Sequence, residues 1–265
     1  MSKFTRYKNI FNRVINWPQY LFMKMVGFKA SFSFRIKDFG AIEVEKSMLG
    51  PFRENFFDDA YFKHIPDSVL ANKPNPVIID IGANVGFFSL ATFSRFPGAE
   101  LYSFEPHPYC FKVMVDYKNE FEKYNWNINQ KAVSDQNGEL TLNTSTVSGF
   151  TTKASVYEND VEKAEEFVAQ AIKFDTFLSE NNITHIDFMK LDCEGAEFSI
   201  LYGLTNDVFE MVDSFSIEAH KGEKENQNIN ALNEFIQTRG YSTKIQNDGY
   251  DSGYIWAWKP KYNAD

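Results

Sequence analysis

From residue 77 onward the chain keeps a rhythm that few folds can accommodate. Short apolar runs at 77–81, 100–104, 128–133, 186–191, 214–219, 241–246 and 254–259 alternate with helical patterns near 85–95, 108–119, 175–181, 194–203 and 228–239. Strand and helix in alternation are the signature of a mostly parallel sheet with helices on both faces. Runs such as Val77-Ile78-Ile79 lack polar alternation, as strands covered on both sides should. Residues 134–174 break the rhythm. GELTLNT (138–144) alternates like an added strand, SGFTTKAS (148–155) is polar and turn-rich, and DVEKAEEFVAQAIKF (160–174) reads as a helix or as a charged loop feeding a strand at 167–174. A chain of 265 residues, 43% of them hydrophobic, has room for one large α/β domain with an appendage.

The expected division is an N-terminal helical and β-hairpin extension or lid at 1–70 and a ligand-binding domain at 71–265. Residues 1–30 read as helical pieces broken by Pro18 and Gly27. FSFRIK (32–37) and AIEVEK (41–46) alternate as strands around a tight Asp38-Phe39-Gly40 turn, and 53–63 suggests a helix ending before Pro66. Residues 1–50 hold nine Lys/Arg against three Asp/Glu, so the other 215 residues carry −15 within a net charge of −9. The early cations are interleaved with Phe4, Tyr7, Phe11 and Trp17. Two readings follow: a helical lid that packs these aromatics on the main domain, which is preferred, or a surface-lying segment that touches anionic lipid or a partner. The acidic balance argues against nucleic-acid binding. No apolar run is long enough for a spanning helix, no signal cleavage site is evident, and two cysteines, Cys110 and Cys193, make no disulfide framework; a cytoplasmic location is expected. The oligomeric state leaves no mark on the sequence.

Doubly wound sheets bind ligands beyond the carboxyl ends of their strands. Asp80-Ile81-Gly82-Ala83-Asn84-Val85-Gly86 lies at such an end and opens a helix. Gly82 permits a sharp turn and a close ligand, Asn84 tolerates an unusual backbone, and Gly86 allows close packing of helix on strand. The loop lacks one glycine of the dinucleotide fingerprint, and Asp80 suits an ammonium or sulfonium better than a pyrophosphate. Glu105 ends the next strand, 23 residues after Gly82, near the spacing of an acid that grips ribose hydroxyls, with Pro106 and Pro108 stiffening its loop. As strand-end residues, Asp80 and Glu105 are expected to be replaceable without loss of the fold.

DIGANVG (80–86), FEPHP (104–108), AVSDQNGELTL (132–142), DFMKLDCEGAEFSIL (187–201) and FSIEAH (215–220) together resemble the FkbM family of S-adenosylmethionine-dependent methyltransferases. The block Lys190-x-Asp192-x-Glu194-Gly195-Ala196-Glu197 is the most diagnostic. The resemblance implies a Rossmann-like class I methyltransferase fold with a mostly parallel seven-stranded sheet. It implies S-adenosylmethionine held by Asp80, Gly82, Asn84, Gly86, Glu105, Pro106, Ser134, Asp135 and Asp192. Asp80 would lie near the amine, Glu105 at the ribose, and Ala132 to Asp135 beside the adenine, with Asp135 either accepting from the adenine amino group or capping the turn that follows.

The end of the fourth core strand places Asp192 and Glu194 on the ligand face, with Glu194 and Glu197 read as helix-start charges favoured by the dipole. Asp192, Glu218 and His220 form the candidate catalytic set. His220 is expected to be the general base for a hydroxyl acceptor, oriented by a carboxylate. Alternatively, Asp192, Glu218 and His220 bind a divalent metal such as Mg, or His220 is a loop histidine bonded to backbone. His107 is placed at the site's mouth, and His185 is read as structural. A base beside the methyl group suits O-methylation of a sugar, glycan or related small molecule, with residues 1–65 and 144–172 closing the acceptor pocket. The competing readings are a nicotinamide-dependent oxidoreductase and a non-catalytic nucleoside-binding module.

Overall fold

The computed structural model describes residues 3–28, 30–147, 150–155 and 164–263. Helices α1 (Lys3–Arg13) and α2 (Trp17–Val26) meet at Asn16. Its buried amide donates to Ser33 O (2.8 Å) and accepts from Arg35 N–H (2.9 Å), tying the corner to the hairpin that follows. That hairpin, β1 (Ser31–Ile36) and β2 (Gly40–Glu45), pairs in antiparallel register around Asp38, whose φ is +57°. Its alternation buries Phe34, Ile36, Ile42 and Val44. The helix expected over 53–63 is instead α3 (Leu49–Arg53), widened into a π turn at Glu54–Asp58 and stopped by Asp59 in the left-handed region. Ion pairs explain the break: Asp58 takes Arg6 Nε at 2.5 Å, and Asp59 takes Arg13 and Arg95.

The chain then runs β3 (Val77–Ile81), α4 (Phe87–Arg95), β4 (Glu100–Phe104), α5 (Pro108–Glu120) and β5 (Asn125–Asn129). Next come β6 (Ala132–Ser134), β7 (Gly138–Val147), β8 (Phe150–Ser155), β9 (Ala164–Lys173) and α6 (Phe174–Glu180). The rest is β10 (Phe188–Leu191), α7 (Glu197–Gly203), α8 (Asn206–Met211), β11 (Ser214–Ala219), α9 (Ile229–Thr238), β12 (Ser242–Asn247) and β13 (Gly253–Trp258). Seven strands form one sheet in the order β12-β13-β11-β10-β3-β4-β5. Only β13 runs against its neighbours β11 and β12; β11, β10, β3, β4 and β5 pair in parallel. This is the Rossmann-like sheet the sequence rhythm demands.

Three local expectations change. The apolar run 128–133 is two strands, β5 closing the main sheet and β6 opening a second, four-stranded one in the order β6-β9-β7-β8. The strand alternative holds for residues 164–173, while 156–163, and with them part of the helix alternative, lie outside the described residues, as do Ser148 and Gly149 of the turn-rich stretch. Helix α8, six residues long, was hidden by its brevity. One hydrophobic cluster joins the extension to α4 and α5, with Phe34 stacked on Phe52 at 4.3 Å and Phe62 tilted against Phe188 at 4.8 Å. Such ring pairs add about 0.5–1.5 kcal/mol each beyond area burial. The other face packs α6, α7 and α9 around Phe177, Phe198, Leu232 and Ile236. The strand order reverses between β3 and β10, and that switch point opens the crevice where a ligand belongs.

Candidate active site

The turn after β3 is fixed by close approach. Gly82 has φ +76°, and a Cβ there would stand 1.8 Å from the carbonyl oxygen of Asp192, so only glycine fits. Asn84 also holds a left-handed conformation, φ +51°. Gly86 lets α4 close on β5, since a Cβ would meet the Trp126 ring at 2.7 Å. Lys190 Nζ donates to Gly82 O at 2.6 Å and lies 3.2 Å from Asp80, its register partner on β3. Asp80 accepts from Ser89 (2.8 Å), which meets Ser103 (2.9 Å), to which Trp126 donates (2.7 Å). A buried polar chain therefore crosses four strands beneath the turn.

That chain revises two assignments. Asp80 is fully buried and lines no cavity; it neutralises Lys190, and Lys190 pins the glycine turn. Burial alone would lower the Lys190 ammonium, but the charges of Asp80 and Asp192 more than offset this and raise it. Gly86 likewise touches no cavity and serves packing.

Two cavities meet at the switch point. The first, about 290 Å³, is bounded by Ile81, Phe104, Val133, Leu140 and Leu142, with Glu105, Pro106, His107, Ser134 and Asp135 among its polar and rim residues. Each Glu105 oxygen accepts one backbone N–H, from Asn84 (2.7 Å) and His107 (2.8 Å), which leaves each with a further lone pair. Burial pushes this carboxyl up to about 7 despite those bonds. Ser134 Oγ donates to exposed Asp135 at 3.1 Å. Cys193 also lines this cavity; burial, then the charge of Glu197, raises its thiol well above the ordinary range.

The second cavity, about 260 Å³, is bounded by Glu54, Asn55, Tyr61, Phe88, Lys190, Glu218 and His220. Gly82, Asn84, Asp192 and Glu194 line both. Buried Tyr61 donates to Asp192 Oδ2 at 2.7 Å and approaches Glu218 Oε2 at 3.1 Å. Tyr254 donates to Glu54. Burial, followed by the charges of Asp192 and Glu54, pushes the Glu218 carboxyl up to about 8. Burial also holds Glu54 above the usual carboxylate range. Sequence reading missed Tyr61, Glu54 and Tyr254, because nothing local marks residues brought in from the extension and from the antiparallel strand β13. The Asn84 Oδ1 atom is buried at the junction without a hydrogen-bond partner.

His220 does not take the role expected of it. Its Nδ1 lies 3.1 Å from Glu197 and its Nε2 3.4 Å from Glu194. Burial would lower its pKa, but the Glu197 hydrogen bond and the charges of Glu197, Glu194 and Asp192 raise it to about 10. Carboxylates at both ring nitrogens favour the imidazolium, which sets His220 against the general-base role expected of it. An imidazolium offers no lone pair to a cation, and Glu218 stands 4.0 Å away, so the expected metal set of Asp192, Glu218 and His220 gains no support. The carboxylate grouped with Asp192 and His220 is Glu197. Glu197 is wholly buried and accepts from Cys193 N–H (2.8 Å) and Gly195 N–H (2.9 Å), folding the loop back on itself. Glu197 opens the first turn of α7, as expected of a helix-start charge, and also anchors the preceding loop; Glu194 precedes α7 with φ +50°. His185, near Asp187 (2.9 Å), lies outside both cavities.

Comparison with known proteins places this geometry. Residues 80–243 match the model of the Methyltransferase FkbM domain. The chain is 28% identical over 243 residues to Methyltransferase sdnD of Sordaria araneosa, covering 78% of this chain and 86% of that protein. It is 24% identical to the 31-O-demethyl-FK506 methyltransferase FkbM of Streptomyces tacrolimicus, covering 64% of this chain and 73% of that one. Among solved structures, Methyltransferase FkbM from Methylobacillus flagellatus KT superposes with a TM-score of 0.50 at 14% identity, covering 80% of this chain and 54% of that chain. This chain thus spans about half the length of that solved protein, and the likeness concerns the fold.

Proposed function

The chain belongs to the FkbM methyltransferase family, and from that premise we propose an S-adenosylmethionine-dependent O-methyltransferase acting on a hydroxyl of a sugar, glycan or related small molecule. The observation that carries this reading is the pair of cavities sharing Gly82, Asn84, Asp192 and Glu194: one with apolar walls beside the buried Glu105, the other lined by Glu54, Tyr61 and Glu218. A methyl group passing from one ligand to another needs such a junction, where donor and acceptor are held in line and water is excluded.

The residues of the first cavity fit the coenzyme. Phe104, Val133, Leu140 and Leu142 offer apolar walls to an adenine, with Ser134 and Asp135 at its polar edge. Glu105 offers its spare lone pairs to ribose hydroxyls. The orphaned Asn84 Oδ1 suits the coenzyme's ammonium, and Asp192 and Glu194 bring negative charge to the junction. When bound, the coenzyme supplies an electrophilic methyl group on a cationic sulfur.

On the acceptor side the proton needs a destination. Burial, followed by the charges of Asp192 and Glu54, pushes the Glu218 carboxyl up to about 8, so Glu218 keeps its proton at neutral pH. Asp192, which lines both cavities, is the carboxylate placed to accept the hydroxyl proton, with Tyr61 orienting it. Glu54, Glu218 and Tyr61 present acceptors and a donor suited to a polyhydroxylated ring. The name of the Streptomyces relative places its methyl group on an oxygen, which supports the same acceptor chemistry here.

Transfer of labelled methyl from S-adenosylmethionine to a panel of monosaccharides, nucleotide-sugars and glycans tests the reading. Label in a methyl ether of one of these is expected. Label only on nitrogen, carbon or sulfur acceptors overturns the oxygen assignment. Thermal stabilisation by NAD and not by S-adenosylmethionine would overturn the coenzyme.

A further inference from the structure

The first thirty residues carry six cations, Lys3, Arg6, Lys8, Arg13, Lys24 and Lys29, and no acid, in a chain of net charge −9. Eleven large apolar side chains are exposed among the described residues, and seven of them lie between Phe4 and Val26. Phe4 is 81% exposed and Met25 77%. The two faces of α1 are distinct. Ile10, and Val14 just past the helix, are buried in the core, while Phe4, Lys8 and Phe11, spaced as one helical stripe, look outward, and Ile15 in the following turn is exposed beside them. Arg6 and Arg13 turn inward to Asp58 and Asp59. Lys8 and Lys24 stay outside.

The outward face continues across the corner onto α2. Phe11 meets Trp17 edge-on at 4.8 Å, Tyr7 lies 6.2 Å from Phe11, and the Lys24 ammonium sits 5.6 Å over the Tyr7 ring. Phe22, Met25 and Val26 extend it. Helices with exposed aromatics beside lysines are the form that settles into the headgroup region of a bilayer. We propose that the outer face of α1 and α2 binds the surface of an anionic lipid bilayer. Charge complementarity selects that occupant. Cations without acids are drawn to acidic headgroups, and the −15 carried by residues 51–265 keeps the rest of the molecule turned away. A second copy docking the same face on itself would bring lysines against lysines.

The test is cosedimentation of the full chain with vesicles of equal parts phosphatidylcholine and phosphatidylserine, beside vesicles of phosphatidylcholine alone. Binding to the mixed vesicles is expected, weakened at least ~10-fold on neutral ones and by raised salt. Lys8→Glu/Lys24→Glu and Phe4→Ser/Phe11→Ser/Phe22→Ser should each lower partitioning by roughly 30-fold. These residues are exposed, so unchanged melting temperatures and coenzyme affinities are expected of both variants. The proposal is overturned if the parent stays in the supernatant with both vesicles, or if it binds both equally. It is also overturned if the serine variant keeps its lipid binding, or if light scattering shows the parent to be a dimer that this variant dissociates. This test is independent of the acceptor's identity.

Discussion

The cavity beside Glu105 takes most of its walls from short segments next to strand ends, residues 81–84, 104–107 and 131–135, whereas the cavity beside Tyr61 brings residues 51–61 of the extension against the glycine turn and α4 start at 82–88, with 190–194 and 218–220. The Tyr61–Asp192 hydrogen bond alone spans 131 positions. The first cavity sets apolar walls from Ile81, Phe104, Val133, Leu140 and Leu142 beside Glu105; the second adds Glu54, Glu218, Lys190 and His220 to the Asp192 and Glu194 that the two share. In the proposed function, donor recognition draws on local turns readable as motifs, and acceptor chemistry on side chains that tertiary contacts bring to the glycine turn. The two halves should respond differently to mutation.

Asp192 stands in both halves and carries the largest expected effect. Asp192→Asn keeps the shape and removes the proton acceptor. Turnover should fall by about 1,000-fold, within the range ascribed to general bases, while coenzyme affinity changes by less than about 10-fold. Single-turnover methyl transfer and calorimetric titration read the two numbers separately. Equal losses in both would dissolve the distinction between the halves and leave Asp192 as a donor-site residue only.

Asp80→Ala probes the polar chain under both cavities. It removes the nearer carboxylate of buried Lys190, leaving Asp192 at 3.6 Å as its counter-charge, so stability should drop by about 3 kcal/mol, measured by denaturant unfolding. Asp80→Asn, which keeps the bond to Ser89, should lose less. Donor affinity falls because the turn loosens, not because a contact to the coenzyme is lost.

Glu105 belongs to the donor half alone. Glu105→Ala should weaken coenzyme binding by roughly 10- to 100-fold and leave single-turnover rate at saturating coenzyme nearly unchanged. Its titration gives a second reading. The folded-state pKa, about 7, lies above the ordinary 4.5, so the group's contribution to stability is full below about pH 4.5 and is lost as pH rises through 7. In the ligand-free parent this amounts to roughly 3 kcal/mol, and Glu105→Gln should flatten that part of the pH–stability curve.

How legible these halves were in the sequence follows from the same contrast. Apolar runs and their turns encode the parallel sheet, the Gly82 turn and Glu105 within single βα units, and these stand where the pattern puts them. Asp80 was misjudged because a strand-end carboxylate looks alike whether it faces a ligand or a lysine on the next strand, and only the Lys190 register decides. His220 was misjudged because two glutamates from the 194–197 loop surround it in space. Glu54 and Tyr61 carried no signal, since the helix expected there breaks at Asp59 for the sake of ion pairs with α1 and α4.

Glu218 separates proton storage from proton acceptance. Because its carboxyl is pushed up to about 8, the parent's turnover should change with an inflection near pH 8 as Glu218 loses its proton. Glu218→Gln fixes the neutral state, so its neutral-pH turnover should stay within about 10-fold of the parent and the inflection should vanish. A collapse matching Asp192→Asn would mean that Glu218, not Asp192, takes the hydroxyl proton.

The smallest expected effect concerns metal. Asp192, Glu197 and His220 bring ligand atoms within 4.8 Å of one another, the kind of cluster a divalent ion seeks. Its electrostatics point elsewhere. His220 is protonated on both nitrogens, Glu197 already spends its oxygens on two backbone N–H groups and that imidazolium, and Lys190 stands 3.6 Å from Asp192. Three carboxylates around the imidazolium, with the lysine nearby, form an internally compensated set. Turnover after exhaustive treatment with a strong chelator should therefore match the untreated enzyme within about twofold, and added Mg should not raise it. The same compensation predicts that His220→Gln, which leaves Glu194 and Glu197 without their cation, destabilises the loop most below about pH 6.5. The imidazolium's contribution is full below that value and declines as pH climbs to about 10, so the gap between parent and variant should close across that window. Loss of activity on chelation, restored by Mg, would show that the acceptor half holds an ion after all and that His220 is neutral when it does.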